Sequence, residues 1–406
     1  MSQKLQTTPD PLTPSDVAAI LRTASERRQS ILIRGAGTKI DWGRSAAPVA
    51  LILEMRGLNR LLAHAHGDLT ATIEAGASLH DVNRALGARG QWLPLDPSFA
   101  DRATIGGLLA TNDSGPLRHR HGTPRDLVIG IQLATTDGVI ANAGGRVVKN
   151  VAGYDLAKLM TGSFGSLAAI VSATFKLAPL PAASNTLRIA LADGESLGRI
   201  VRTVMASQLE PVAFDVHAQS PFTELSALLQ FASLPQVVDA QIAQARALVA
   251  ADAAAVDVLD GPAEQTAWRD HTQQLWNAPG AVLRASWLPA RLAAAIAGLA
   301  RIDADLQARA ARGDGPACAG RIEILGRAAI GAGLIRIDGE LAAQLSAIEQ
   351  LRASEAFGNV VILRAATELK ALVDVWGPQG DRQPLFDSLK RAFDPNGVLN
   401  AGRGPL

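Results

Sequence analysis

Cysteine is almost missing from this chain: Cys318 stands alone among 406 residues. That excludes an internal disulfide, a cysteine-rich zinc site and an iron–sulfur cluster held by the chain's own thiolates, and it suits a reducing compartment. Charge of either sign is not in excess, with 39 Lys and Arg against 38 Asp and Glu. No global field draws the chain to nucleic acid or anionic lipid, so any anion must be held by local groups. Long apolar runs are lacking too, since no stretch reaches the roughly 18 uninterrupted apolar residues of a spanning helix. The opening MSQKLQTTPDPLTPSDVAAI is polar and proline-bearing, without the basic-then-apolar order of a signal peptide. The expected location is cytoplasmic, with a place at the inner face of the cell membrane only through partners.

What is present is a globular composition, 48% hydrophobic and 19% charged, in a chain long enough for two domains. Residues 14 to 29 read as a helix with Ser15 as N-cap, feeding the apolar strand ILIRG. Short strands and helices alternate from there to the glycine-rich block near 106. LVIGIQLATTDGVIANAG reads as two strands joined at Thr136-Asp137-Gly138, a hairpin signal, and LAAIVSATFKLAPLP as a closing strand ended by prolines. After Pro181 the texture becomes Ala- and Leu-rich, and strand, helix, strand recurs in TLRIAL, ESLGRIVRTVMAS and VAFDVHA, then in ALLQFA, DAQIAQARALVAA and AAVDVLDG. The fold class expected is α+β, with ferredoxin-like units in the second half.

Two glycine-bearing loops carry the chemistry. Arg34-Gly35-Ala36-Gly37-Thr38-Lys39 follows an apolar strand, and residues without Cβ let successive backbone N–H groups approach a phosphate. It is not the dinucleotide fingerprint, because Ile40 stands where a third glycine belongs. Pro94-Leu95-Asp96-Pro97 followed by Ala103 to Gly115 (ATIGGLLATNDSG) adds small residues, hydroxyls and amides suited to a pyrophosphate and a flavin edge. Either loop alone is more often only a turn; two in one domain favour a nucleotide. The pairs His64/His66 and His119/His121 put imidazoles on one side of an extended segment, a metal geometry without supporting carboxylates or thiolates, so no metal is expected.

The order RGAGTK, ATIGGLLATNDSG, HGTPRDLVIGIQLATTDGVI, GRVVKNVAGYDLAKLMTGSFGSLAAIVSATFKLAPLP resembles the PCMH-type FAD-binding domain of the vanillyl-alcohol oxidase family over roughly residues 12 to 182. Within it, KNVAGYDLAKLMTGSFGSLA is most similar to the FAD-binding E-type subunit of glycolate oxidase. The segment FDPNGVLNAGR resembles the family's closing segment, which returns to the flavin. The resemblance implies a PCMH-type FAD-binding domain of two α/β subdomains at 1–182, a ferredoxin-like α+β cap at 183–385 and a returning C-terminal segment at 386–406. Carried over by position, Arg34 to Lys39 and Thr104, Ile105, Gly106 and Gly107 would cradle the pyrophosphate. Asp96, Thr111, Asn112, Gly115, Gly122 and Asp126 would line FAD further along. Gly165, Ser166, Ala169 and Ile170 would hold it through backbone groups, although Ala168 replaces a family glycine. Lys149 or Tyr154 would reach the flavin or its phosphates, and Asn400 would close the site.

Two departures shape the functional expectation. Covalent members attach flavin through a loop His or a Cys; here Thr38 and its neighbours occupy that loop and the only Cys is at 318, so the FAD is expected to be non-covalent. Catalytic relatives also carry a His-x-Gly-Asp-Gly-Asn-x-His segment in the second domain, and between 183 and 406 the only histidines are His217 and His271. No catalytic residue is assigned. The resemblance implies an FAD-binding subunit of a glycolate oxidase complex, oxidising glycolate to glyoxylate with electrons passed through FAD to an iron–sulfur partner. Its partners would be a second, catalytic FAD-binding subunit and an iron–sulfur subunit. A self-sufficient dehydrogenase and a non-redox scaffold stay open beside it. Arg118, Arg120 and Arg125 are read as substrate or partner contacts, or as a solvated loop.

Overall fold

The computed structural model describes residues 6–7, 11–45, 48–145, 154–313, 320–400 and 402–405; Lys149 and Cys318 lie outside them. The chain divides into two compact units. One takes Met1–Gly115, His121–Leu180 and Pro378–Leu406; the other takes Pro116–Arg120 and Pro181–Gly377.

In the first unit, helix Pro14–Glu26 is capped by Thr13, not by the expected Ser15. Thr13 Oγ1 accepts from the Asp16 N–H at 3.2 Å, and the Asp16 carboxylate accepts from the Thr13 N–H at 2.9 Å. This reciprocal box needs the acid three residues after the cap and suits Pro14 at the first helical position, where a missing N–H costs nothing. The buried stripe Val17, Ala18, Leu21 and Ala24 packs with Ile31, Leu53, Val171 and Leu399. Strands Gln6–Thr7, Leu51–Glu54 and Ile31–Arg34 form a parallel sheet in that order. The C-terminal segment runs alongside it: Ile31 N–H donates to Val398 O at 2.7 Å, and Asn400 N–H donates to Ile31 O at 2.8 Å.

A second sheet of this unit is antiparallel throughout, in the order Leu61–Ala65, Thr70–Glu74, Ala169–Lys176, Val128–Ala134, Ile140–Gly144. The hairpin expected around Asp137-Gly138 is present, Val128–Ala134 pairing with Ile140–Gly144. The central strand is buried on both faces. Ala168 and Ile170 enter one core while Ala169 and Val171 enter the other, as the two-residue side-chain period of a strand requires.

The second unit carries one eight-stranded antiparallel sheet. Its first half is strand Ala183–Leu191, helix Gly194–Met205, strands Ala213–Gln219 and Leu225–Ser233, helix Pro235–Val249 and strand Ala255–Asp260. Its second half repeats that order as Ala281–Ser286, Leu292–Arg312, Ile322–Arg327, Ala332–Ile337, Leu341–Ala353 and Asn359–Arg364. Each half is a βαββαβ ferredoxin-like unit with strands in the spatial order 4-1-3-2, and the second strands of the two halves pair across the middle. Expected as recurring βαβ units, the pattern is thus a structural duplication.

One network on this sheet gives a pH prediction. His217 Nε2 lies 2.9 Å from Glu323 Oε1, and Arg336 Nη2 donates to Glu323 Oε2 at 2.8 Å. Burial alone would raise the Glu323 pKa, but hydrogen bonds and charge from His217 and Arg336 outweigh it, and the net pKa lies below the ordinary 4.5. A carboxylate with a depressed folded-state pKa stabilises the protein above its unfolded value and loses that contribution as pH falls through the folded value. Thermal unfolding of Glu323→Gln should therefore show a stability deficit near neutral pH that shrinks as pH falls below about 4.5. A deficit independent of pH would remove the charge argument.

Candidate cofactor site

The pocket of the first unit begins where strand Ile31–Arg34 ends. Residues Arg34 to Ile40 run along one side, Thr104, Gly106, Gly107, Ala110 and Thr111 along another, and Phe164, Gly165, Ala168, Ile170, Asn400 and Arg403 close it. About 750 Å³ of space is unfilled, part of it open to solvent. Backbone bonds place the second wall: Ile105 N–H donates to Ala77 O at 3.0 Å and Gly106 N–H to Ala75 O at 2.7 Å, starting the helix Ile105–Thr111 at the rim. A Cβ on Gly35 would stand 2.2 Å from Thr104 Oγ1, so the two loops meet because residue 35 has no side chain. Gly165 has φ +69°, and a Cβ there would strike Asn400 Nδ2 at 2.7 Å.

The cations of the first loop are committed internally. Arg34 Nε donates to Glu54 Oε1 at 2.7 Å, with Glu54 buried. Lys39 Nζ donates to Ser98 O at 3.1 Å and lies 3.3 Å from Asp113 Oδ2; burial lowers its pKa, with Asp113 opposing. Asp113 in turn accepts from Ser98 N–H at 2.9 Å, so Lys39 ties the loop to the segments around 98 and 113. What remains along the pocket from this loop is mostly backbone and small side chains.

The C-terminal segment fastens the far end. Asn400 Oδ1 accepts from Ile33 N–H at 2.9 Å, and its Nδ2 donates to Phe164 O at 2.5 Å. Arg403 Nη2 donates to the carbonyls of Lys39 and Trp42 at 3.1 Å each and also to that of Ile40. Burial lowers the Arg403 pKa, with Asp41 opposing.

Small residues for an anionic pyrophosphate, together with the apolar walls Ile33, Met55, Phe164 and Ile170, fit a flavin dinucleotide. The protein family described as FAD binding domain matches residues 10–144. Those residues are similar to an FAD-binding domain. FAD is the cofactor of this chain. Glycolate oxidase subunit GlcD of Bacillus subtilis (strain 168) is 33% identical over 205 residues, covering 50% of this chain and 44% of that protein. Glycolate oxidase subunit GlcE of Escherichia coli (strain K12) is 34% identical over 183 residues, covering 45% and 51%. D-2-hydroxyglutarate dehydrogenase of Xanthomonas citri pv. viticola is 32% identical over 236 residues, covering 54% and 50%. The chain thus spans about half the length of the curated relatives it matches. In fold, it is similar to a solved alkyldihydroxyacetonephosphate synthase with TM-score 0.71 and 15% identity, over 98% of this chain and 75% of that one.

The pocket brings together Arg34, Gly35, Ala36, Gly37, Thr38, Lys39, Thr104, Gly106, Gly107, Thr111, Gly165, Ile170 and Asn400. Other residues expected around FAD lie elsewhere. Ile105 and Ala169 are wholly buried in the two cores. Asp96 and Gly115 pack on each other, a Cβ on Gly115 falling 2.0 Å from Asp96 O. Asp126 caps its own short helix by accepting from Thr123 N–H at 2.8 Å, with Gly122 against it, and Asn112 Oδ1 accepts from Arg125 N–H at 3.3 Å. Ser166 is buried and donates to Ser163 O at 2.6 Å, whereas Tyr154 is 91% exposed. The sequence reading did not assign Ile33, Ile40, Met55, Ala75, Ala110, Phe164 or Arg403 to the site, although Ile33, Ala110, Phe164 and Arg403 stood in segments already singled out and Ile40 was named as the break in the fingerprint. The histidine pairs are not alike: His64 Nε2 lies 2.8 Å from Gln91 Oε1, and His119/His121 belong to a helical turn, not an extended segment, which points residues two apart in different directions. Among the described residues no three His, Cys, Asp or Glu gather as a metal ion would need, and no helix is long and apolar enough to cross a membrane.

Proposed function

We propose that this chain is the FAD-binding subunit of a glycolate oxidase complex, which oxidises a small 2-hydroxy acid and passes the electrons to an iron–sulfur partner. The observation that carries the reading is the pocket itself, in a chain similar to glycolate oxidase subunits GlcD and GlcE. Bound FAD supplies a two-electron acceptor for the hydride of the alcohol carbon. The chain's residues bind and orient it: Gly35 to Thr38 with Thr104, Gly106 and Gly107 hold the pyrophosphate, the apolar wall excludes water, and Asn400 and Arg403 keep the loops in place. In this reading the flavin is held non-covalently, and among the described residues no His or Cys lines the pocket. With a single cysteine, the chain needs a partner for iron–sulfur chemistry and, in this reading, reaches the inner face of the membrane through it.

A second reading, a self-sufficient 2-hydroxy-acid dehydrogenase, draws on the similarity to D-2-hydroxyglutarate dehydrogenase. Spectra of the purified chain and of its complex separate the two. A flavin spectrum released by acid, bleached by anaerobic glycolate only in the complex, supports the subunit reading. Bleaching in the isolated chain supports the second. A chain that takes up no FAD defeats both.

A further inference from the structure

The outer strands of the eight-stranded sheet, Ala255–Asp260 and Asn359–Arg364, are the fourth strands of the two ferredoxin-like halves, and their edges are finished differently. In the second half the chain itself covers the edge. Helix Thr367–Leu372 packs against helix Leu341–Ala353, and the segment after it runs beside the strand, Ile362 N–H donating to Val375 O at 2.9 Å. Arg352 Nε donates to Val360 O at 3.2 Å, and Val375 and Trp376 are buried. In the first half the chain turns away from the corresponding place. Helix Gly261–Asn277 goes to one face of the sheet, where Glu264 Oε1 accepts from Ser184 Oγ at 2.8 Å and Thr186 Oγ1 at 2.7 Å. Among the described residues no strand pairs with the outer edge of Ala255–Asp260, and such an edge presents a row of unanswered N–H and C=O groups.

Beside that edge a groove of about 950 Å³, open to solvent, lies between the strand and helix Pro235–Val249. Val258, 43% exposed, lines it together with Ile242, Ala243, Ala247 and Ala250. Asn185 lines it too, which puts the groove on the face opposite to Ser184, Thr186 and Glu264. The helix residues follow the three-and-four spacing of a single stripe, and the same stripe carries one acid and one base, Asp239 and Arg246, both exposed. These two are separated by two turns, about 10 Å along the axis, and cannot pair within one helix.

We infer that this face is the interface between two copies of the chain, related by a two-fold axis at the Val258 edge. Antiparallel pairing of Ala255–Asp260 with its own copy answers the outward backbone groups and joins the two sheets. The axis makes every contact reciprocal. It lays the two Pro235–Val249 helices antiparallel across the seam, so Asp239 of each copy faces Arg246 of the other, with the alanines allowing close approach and Val258 against its counterpart. A lone peptide strand would answer the edge and leave both charges unpaired; a second copy answers all of them. Asp257 brings no bare charge to the seam, because Arg188 Nη2 donates to its Oδ2 at 2.8 Å within the same copy. The inference does not depend on the glycolate oxidase reading and can fail without it.

Sedimentation of the FAD-loaded full chain over about a hundredfold range of concentration is the test. The wild type should form a dimer that dissociates only on dilution. Val258→Lys sets two ammonium groups against each other at an exposed position and should leave monomer with the flavin spectrum and circular dichroism of the wild type. Arg246→Asp sets acid against acid at both ends of the seam and should weaken the dimer roughly tenfold. The charge swap Asp239→Arg/Arg246→Asp should recover it, a result that a merely structural role of the helix would not give. A wild type that stays monomeric at every concentration, a dimer indifferent to both Val258→Lys and Arg246→Asp, or a charge swap that recovers nothing would each overturn the inference. A monomer that needs Val258 only to join a different subunit would overturn it as well and assign the face to that subunit.

Discussion

Arg403→Ala protein is expected to lose FAD on dilution, with affinity falling roughly ten- to hundredfold. Arg403 is 5% exposed and its guanidinium donates to three backbone carbonyls between Lys39 and Trp42, at the end of the loop Arg34 to Ile40 that lines the pocket. Removing it leaves those carbonyls without a charged donor, and hydrogen bonds to charged groups contribute about 1.5–3 kcal/mol each in net terms. The loop can recover some of this by turning carbonyls to water, but then it no longer holds its shape against the cofactor. Arg403→Lys keeps the charge and loses the planar fork, so it should sit between wild type and alanine. Equilibrium titration of apoprotein with FAD, followed by flavin fluorescence, gives the numbers. Wild-type affinity in Arg403→Ala would mean that the clamp is redundant.

The second large effect belongs to Gly35→Ala. The added methyl would lie 2.2 Å from Thr104 Oγ1 and 3.2 Å from Thr104 Cβ, so the two walls of the pocket must separate or Thr104 must leave its rotamer. Overpacking of this kind costs about 1–3 kcal/mol, and because the strain falls between the two loops it should appear as about ten- to hundredfold weaker FAD binding. The informative partner is Thr104→Ala. It removes the struck oxygen, so Gly35→Ala/Thr104→Ala should bind FAD more tightly than Gly35→Ala alone. If the double variant is no better, the defect lies in the backbone conformation of residue 35 and not in this contact.

The pocket's loops were legible because their function is written in residue type at fixed positions. RGAGTK and ATIGG show small residues where backbone must come close, and the hairpin at Asp137-Gly138 shows a turn between alternating strands. Ile33, Met55, Ala75 and Phe164 were not legible. An apolar residue looks the same in sequence whether it faces a core or a cofactor, and only the packing of the two sheets decides. Ala169 shows the same limit on a finer scale. Its motif position is shared with Ile170, but the strand period turns the two side chains to opposite faces. The helix start was readable in principle, because Thr13 with Asp16 three residues on is the box signal that Ser15 lacks. The duplication in the second unit left little trace in its Ala-rich sequence, where many side chains serve the same packing role, and the pairing of Asp215 with Arg327 exists only once the halves join.

The strand-like run of Val398 to Asn400 beside Ile31 has a consequence for biosynthesis. The first unit is split in sequence by the second, and its parallel sheet gains this last edge only after all of Pro181–Gly377 has left the ribosome. A nascent chain therefore carries an unfinished cofactor domain, with the Ile31 edge uncovered, throughout synthesis of the second unit. Completion of the cofactor pocket waits on Val398 to Asn400, so a defect there leaves the strand at Ile31, made far earlier, without its neighbour.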